Sequence, residues 1–260
     1  KKVIDTVNDL DNVLYEICNE VPYRKEAMDW MEQLCTFIHE YEAGTPQQHP
    51  EGITAEGGNH RNDELFAMNA DWISPRNGEL FEYRYDPPAA VGGKVILTDT
   101  DHLLGHGGEV AWVWKSFTRG TNVIFMDPWE PLPMDVEMSD MMSSGTALKQ
   151  RYYHAWDPIR RNMGYARRYA QRMDLNLCIP RNELCTSTYC LANPGVEYLC
   201  YLAEGGEHGL NMHEAEGAFQ AEWRQPFTGI TTKAEELAGG NRYVIRPPFE
   251  GPAVFYAHKS

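Results

Sequence analysis

Between Lys94 and Asp127 the polar and apolar positions change period twice. Val95-Ile96-Leu97-Thr98-Asp99-Thr100-Asp101 alternates with period two, which puts Val95, Leu97, Asp99 and Asp101 on one face of a strand. A helix over 109–119 follows, and Val123-Ile124-Phe125-Met126 forms a second strand that delivers Asp127 to the same rim. An apolar strand face that turns acidic at its C-terminal end is what a parallel barrel strand presents when it finishes in an active site.

The same alternation of periods runs through the first half of the chain. Residues 1–10 read as the end of a helix, and residues 12–20 as a buried strand. On that strand Leu14, Glu16, Cys18 and Glu20 share a face, with Glu16 deeper and Glu20 at the mouth. Ala27, Met28, Met31, Leu34, Cys35 and Ile38 recur at steps of three and four, predicting a helix over 23–41. Short strands are predicted over 52–56 and 66–72, and then a polar, proline-containing stretch leads to Gly93. Five strands therefore end near residues 20, 56, 71, 101 and 126, with helical or loop crossovers between them. Repeated βα order implies a parallel sheet.

Five units are too few to close a barrel. The chain reads as the C-terminal half of a (β/α)8 TIM-type barrel, strands four to eight, with the first three strands expected upstream of Lys1. An isolated half barrel would expose an apolar sheet edge, so such a piece is expected to associate or to lack activity.

Residues 128–146, rich in Met, Pro and Ser, read as a rim loop. Asp157-Pro158 opens a helix that runs to about Met173, whose Arg160, Arg161, Arg167, Arg168 and Arg172 read as a solvated outer face. After Leu175 the pattern becomes short alternating runs separated by Asn193-Pro194-Gly195, Gly205-Gly206 and Gly239-Gly240-Asn241. Evenly spaced short strands of this kind predict a small antiparallel β-sandwich. The fold class is thus α/β plus all-β, with a barrel portion over 1–175 and a sandwich over 176–260.

Composition narrows the function. A net charge of −15 argues against nucleic acid and against anionic membrane surfaces as partners. No run of 18 apolar residues is present, so no transmembrane helix is predicted. The six cysteines form no close metal-type pair; Cys185 and Cys190 are near enough in sequence to bridge, but scattered buried thiols are the simpler reading. The start of the chain does not reveal a compartment.

The candidate chemistry is a carboxylate pair. A glutamate at one strand end, Glu20, and an aspartate at another, Asp99 or Asp101, can supply the two groups of a glycosidase. One protonates the leaving oxygen, and the other attacks the anomeric carbon or activates water. Asn19 stands where it could hydrogen-bond a sugar hydroxyl. Structural roles compete: Asp99 and Asp101 could cap the next turn, and Glu20 the next helix. Asp99, Asp101, His102 and His106 also carry ligand-type side chains, but in no dense ligand pattern, so no metal site and no cofactor are assigned.

Asn12–Glu20, Ala70-Asp71-Trp72-Ile73-Ser74-Pro75, Asp99-Thr100-Asp101-His102, Trp112–Gly120 and Met126-Asp127-Pro128 resemble the apiosidase-like glycoside hydrolase family of (β/α)8 barrels. Cys190-Leu191-Ala192-Asn193-Pro194-Gly195, Glu197-Tyr198, Glu222-Trp223, Thr228-Gly229 and Pro248-Phe249 are similar to that family's C-terminal sandwich, which bears the label of a collagen-binding domain of a collagenase. The resemblance covers nearly the whole chain. It implies that Glu20 is the acid/base after the fourth strand and that the nucleophile follows the seventh, at Asp99 or Asp101. Asp101 is slightly favoured as nearer the mouth. The wider clan carries glutamate at that place, so this chain departs from the pattern.

The resemblance further implies sugar-binding roles for Asp71, His102 and Trp114, a complex glycan such as plant cell wall as substrate, and a secreted or periplasmic setting. Trp114 reads equally well as helix-to-barrel packing. Collagen is not expected as a partner, and the tail reads as a brace for the barrel helices. The alternative to catalysis is a carbohydrate-binding or structural module with a degenerate barrel site.

Overall fold

The computed structural model describes residues 1–19, 21, 24–54, 62–76, 82–103, 108–127 and 154–260. Glu20, His106 and the rim loop predicted over 128–146 lie outside the described residues. The first part of the chain runs α1 (Lys2–Val7), β1 (Tyr15–Glu16), α2 (Lys25–Glu42), β2 (Glu51–Thr54), α3 (Asn62–Ala67), β3 (Trp72–Ser74), α4 (Glu82–Tyr85), β4 (Val95–Asp99), α5 (Thr100–Leu103), α6 (Val110–Thr118), β5 (Asn122–Ile124) and α7 (Asp157–Ala170). Strands β1 to β5 form one five-stranded parallel sheet in sequential order. Sequential parallel pairing through crossover helices is the arrangement of a barrel wall.

Side-chain parity divides this sheet into two faces. Ile53, Ile73 and Ile96 point outward and are fully or almost fully buried against Met31 and Cys35 of α2 and Leu65 of α3. Each such side chain contributes roughly 1.5–3 kcal/mol by leaving water. By register, Glu16, Gly52 and Trp72 stand side by side on the inward face, with Thr54, Ser74 and Leu97 one step further along and Asp99 beyond them. Gly52 is required there. The Trp72 indole lies across its backbone, and a Cβ at Gly52 would sit 1.9 Å from the ring.

Two sequence expectations change in this region. The strand predicted over 66–72 is instead the end of α3, whose Leu65 is buried in the core, and the real strand starts at Trp72. Asp71 therefore stands at the beginning of β3, not at its end. Among the described residues of the strand predicted over 12–20, β1 is confined to Tyr15 and Glu16. Tyr15 goes outward into a buried polar knot, donating to Glu42 Oε1 at 2.9 Å, while Glu42 also receives the His49 backbone N–H at 2.6 Å and Asn8 Nδ2 at 3.2 Å. Burial and the Glu42 carboxylate push the Tyr15 phenol up to about 12.

Antiparallel strands fill the C-terminal segment, as the alternation predicts. These are β6 (Ile179–Pro180), β7 (Cys190–Asn193), β8 (Glu197–Leu202), β9 (His208–Met212), β10 (Ala218–Arg224), β11 (Thr231–Lys233), β12 (Leu237–Ala238), β13 (Asn241–Ile245) and β14 (Ala253–Lys259). Seven of them make a sheet ordered β11-β10-β14-β8-β7-β6, with β12 paired to β10. The other two, β9 and β13, form a ribbon, so the layers are unequal in size.

One face of the large sheet packs on the ribbon through Tyr198, Cys200, Phe219, Phe255, Leu210 and Met212. The other face, with Leu199, Tyr201, Val254 and Tyr256, packs on Trp112, Val113 and Trp114 of α6 and on Ile159, Ala166 and Tyr169 of α7. One of the three core clusters thus includes residues on both sides of residue 176, where α6 and α7 pack on the tail's large sheet. The six cysteines are free, with Cys185, Cys190 and Cys200 together in the inner core of the tail.

Candidate active site at the strand ends

The C-terminal ends of the parallel strands bring polar groups together on the inward face. Glu16 of β1 accepts a hydrogen bond from Thr54 Oγ1 of β2 at 2.5 Å. Ser74 Oγ at the end of β3 lies 3.1 Å from His102 Nδ1 in the turn after β4. Asp99 ends β4 and faces inward beside them. Two hydroxyls, an imidazole and two carboxylates supplied by four neighbouring strands form a surface able to bind a polyhydroxylated ligand. Parallel sheets create such surfaces because their loops and strand ends converge on one side.

Asp99 is held by its own turn. The Asp101 backbone N–H donates to Asp99 Oδ1 at 2.9 Å, starting α5. The capping role and the inward-facing role therefore belong to the same side chain. Desolvation raises the Asp99 carboxyl above its ordinary value; the Asp101 N–H and the nearby His102 pull it down, and the carboxylates of Asp101 and Glu16 push it up again. Thr100, fully buried, accepts the Met126 N–H at 2.8 Å and so ties the end of β5 to this turn.

The other sequence candidates are dispersed. Asp101 lies on α5 and is exposed rather than on the strand face, because the chain turns helical at Thr100. Asn19 is exposed just beyond β1. Asp127 follows β5 by three residues, and Arg160 of α7 binds it with two bonds, Nε to Oδ2 at 2.7 Å and Nη2 to Oδ1 at 2.5 Å. Part of the arginine face is thus engaged in ion pairing.

Trp114 does not reach the mouth. It is fully buried, donates from Nε1 to Asn162 Oδ1 at 2.7 Å, and stacks on Tyr201 with ring centres 6.4 Å apart. Asp71 is at the opposite end of the sheet, 3.1 Å from His39 Nε2. Glu16, Thr54 and Ser74 were not singled out as site residues by sequence. The signal for Glu16 was present in its shared face with Glu20; Thr54 and Ser74 gave none, because an isolated hydroxyl at a strand end carries no pattern.

No family model and no curated protein matches the sequence. Solved structures do. The whole chain superposes on a protein described as a glycoside hydrolase, with a TM-score of 0.67 at 13% identity, covering 67% of that protein. A glycoside hydrolase family 5 structure from Bacteroides vulgatus matches 99% of the chain with a TM-score of 0.67 at 11% identity, and 65% of that protein is covered. The fold is that of part of a glycoside hydrolase barrel. This chain spans about two thirds of the length of those structures. At such identities the likeness carries the barrel fold; it does not single out the apiosidase-like family or its collagen-binding tail.

Proposed function

We propose that this chain carries the catalytic mouth of a glycoside hydrolase that acts on a complex glycan. The observation that supports it most is the set Glu16, Thr54, Ser74, Asp99 and His102, gathered at the C-terminal strand ends of a sheet with a glycoside hydrolase barrel fold. In this reading Glu20 is the acid/base, and Asp99 is the second carboxylate. Asp99 has the inward strand position and a proton affinity raised by burial, which brings its ionisation closer to working pH. Asp101 holds Asp99 through its N–H and is the alternative to it. Ser74 and His102 bind sugar hydroxyls, with Asn19 beside the reacting carbon. A plant cell-wall glycan as substrate, an extracytoplasmic setting and a division of the chain near residue 176 belong to the same proposal.

The binding-module alternative calls for a flat aromatic platform on the tail. Among the described residues of the tail, Phe227 is an exposed aromatic, whereas Trp223 and Phe255 line a groove of about 460 Å³ as its buried floor. The test is sugar release by the full-length protein from a panel of aryl glycosides and plant polysaccharides, beside Glu20→Gln, Asp99→Asn and Asp101→Asn. Release abolished by Glu20→Gln and by one aspartate change is expected. A folded protein that releases nothing, or whose release survives all three changes, overturns the assignment.

A further inference from the structure

At the end of the sheet away from the mouth, three potential ligand atoms meet. His39 projects from the last turns of α2, Glu51 opens β2 on its helix-facing side, and Asp71 directly precedes β3. His39 Nε2 lies 2.8 Å from Glu51 Oε2 and 3.1 Å from Asp71 Oδ2, and one donor atom from each residue falls within 4.8 Å of the other two. An ion about 2.0–2.2 Å from each donor in a tetrahedral set would hold neighbouring donors roughly 3.4 Å apart, so the two His39 contacts would open by a few tenths of an ångström to admit one.

The second observation is the state of Glu51. Its side chain is fully buried, and neither carboxylate oxygen has a hydrogen-bond partner. The His39 ring nitrogen is near enough, but its hydrogen-bond geometry is directed to Asp71 Oδ2. The ammonium of Lys94, which lines the same cavity as His39 and Asp71, is engaged elsewhere. Lys94 Nζ donates to the carbonyls of Met68 and Ala70, the latter at 2.9 Å. A buried carboxylate that faces a second carboxylate, with the partly exposed His39 imidazole as its ion-pair partner and no hydrogen bond of its own, is costly unless a proton or a cation lies between them.

We propose that His39, Glu51 and Asp71 form a binding site for a divalent cation of the zinc class, separate from the mouth. One imidazole and two carboxylates are a borderline N,O2 donor set that suits Zn²⁺ and leaves a fourth position open. An open cavity of about 610 Å³, lined by His39, Gln48, His49, Asp71 and Lys94, gives water and the ion access to that position. The three ligands come from elements already fixed by the Ile53, Ile73 and Ile96 core, so little ordering is needed on binding. Asp71 thus acquires a role in place of the sugar contact expected from sequence. The ion would clamp α2 to the sheet and act structurally.

Calorimetric titration of the chelator-stripped protein with Zn²⁺, alongside the visible absorption of the Co²⁺ form, tests this. One Zn²⁺ bound per chain with a raised thermal midpoint is expected, together with affinity weakened at least about tenfold in both Glu51→Gln and His39→Asn. His39 is partly exposed and its replacement leaves the core intact, so that variant reports on binding rather than folding. Failure to take up either ion overturns the proposal and leaves a shared proton as the occupant. Uptake that both substitutions leave unchanged also overturns it, as an adventitious ion only. Neither result bears on the glycosidase reading, which is tested by sugar release.

Discussion

Trp114→Ala is expected to act on stability and not on ligand binding. The indole is fully buried between α6, α7 and the large antiparallel sheet, 6.0 Å from the Tyr169 ring and 6.4 Å from that of Tyr201. Truncating a buried Trp costs about 3–5 kcal/mol in lost burial and cavity. The change also strips Asn162 Oδ1 of its donor, and a buried unsatisfied acceptor costs about 1–3 kcal/mol. The two terms overlap, because a water entering the cavity can serve Asn162, so a total of roughly 4–6 kcal/mol is expected. At about 2–4 °C per kcal/mol for a chain of this size, the thermal midpoint should fall by roughly 10–20 °C. Trp114→Phe keeps most of the ring and loses the N–H, so its loss should be about 1–3 kcal/mol. Circular dichroism melts of the three proteins measure this directly. A loss under about 1 kcal/mol for Trp114→Ala, or an unchanged melt with weakened sugar binding, would refute the packing argument.

Three other outcomes follow from the same geometry. Gly52→Ala drives a Cβ into the Trp72 ring, and overpacking of this kind should cost about 1–3 kcal/mol in a urea titration; an unchanged midpoint would mean that the indole moves aside freely. Asp99→Asn should raise the thermal midpoint at pH 7 while abolishing sugar release. The folded state holds the Asp99 proton more tightly than the unfolded chain does, so ionisation costs stability as pH rises above the unfolded value, and the advantage of the neutral variant should close below about pH 4. A gap that widens on acidification would contradict it. Asp127→Asn weakens a partly exposed pair with Arg160 and should cost no more than about 1 kcal/mol; a melt shifted by several times that would show the pair to be more than a rim contact.

The sequence by itself determined the order of elements and their type wherever one period ran long enough. Helix α2 was legible from apolar residues at steps of three and four, β4 from strict alternation, and the antiparallel tail from short runs between glycine turns. These patterns work because each element must bury one face, and that demand is local. Asp99 was also legible as an acid at the end of an apolar strand face, and Glu16 half so, as the deeper partner of Glu20 on a shared face.

What only the tertiary structure decided was the direction and company of the polar residues. Asp71 was read at a strand end but stands at a strand start, because Leu65 packed as part of a helix and the strand began later. Trp114 fits a sugar platform and a core equally well in one dimension; the seven-stranded sheet laid over α6 settled it. Thr54, Ser74 and His102 come from three segments and meet through parallel register, and His39, Glu51 and Asp71 meet across a helix and two strand starts. Such meetings are long-range contacts, and no local period encodes them.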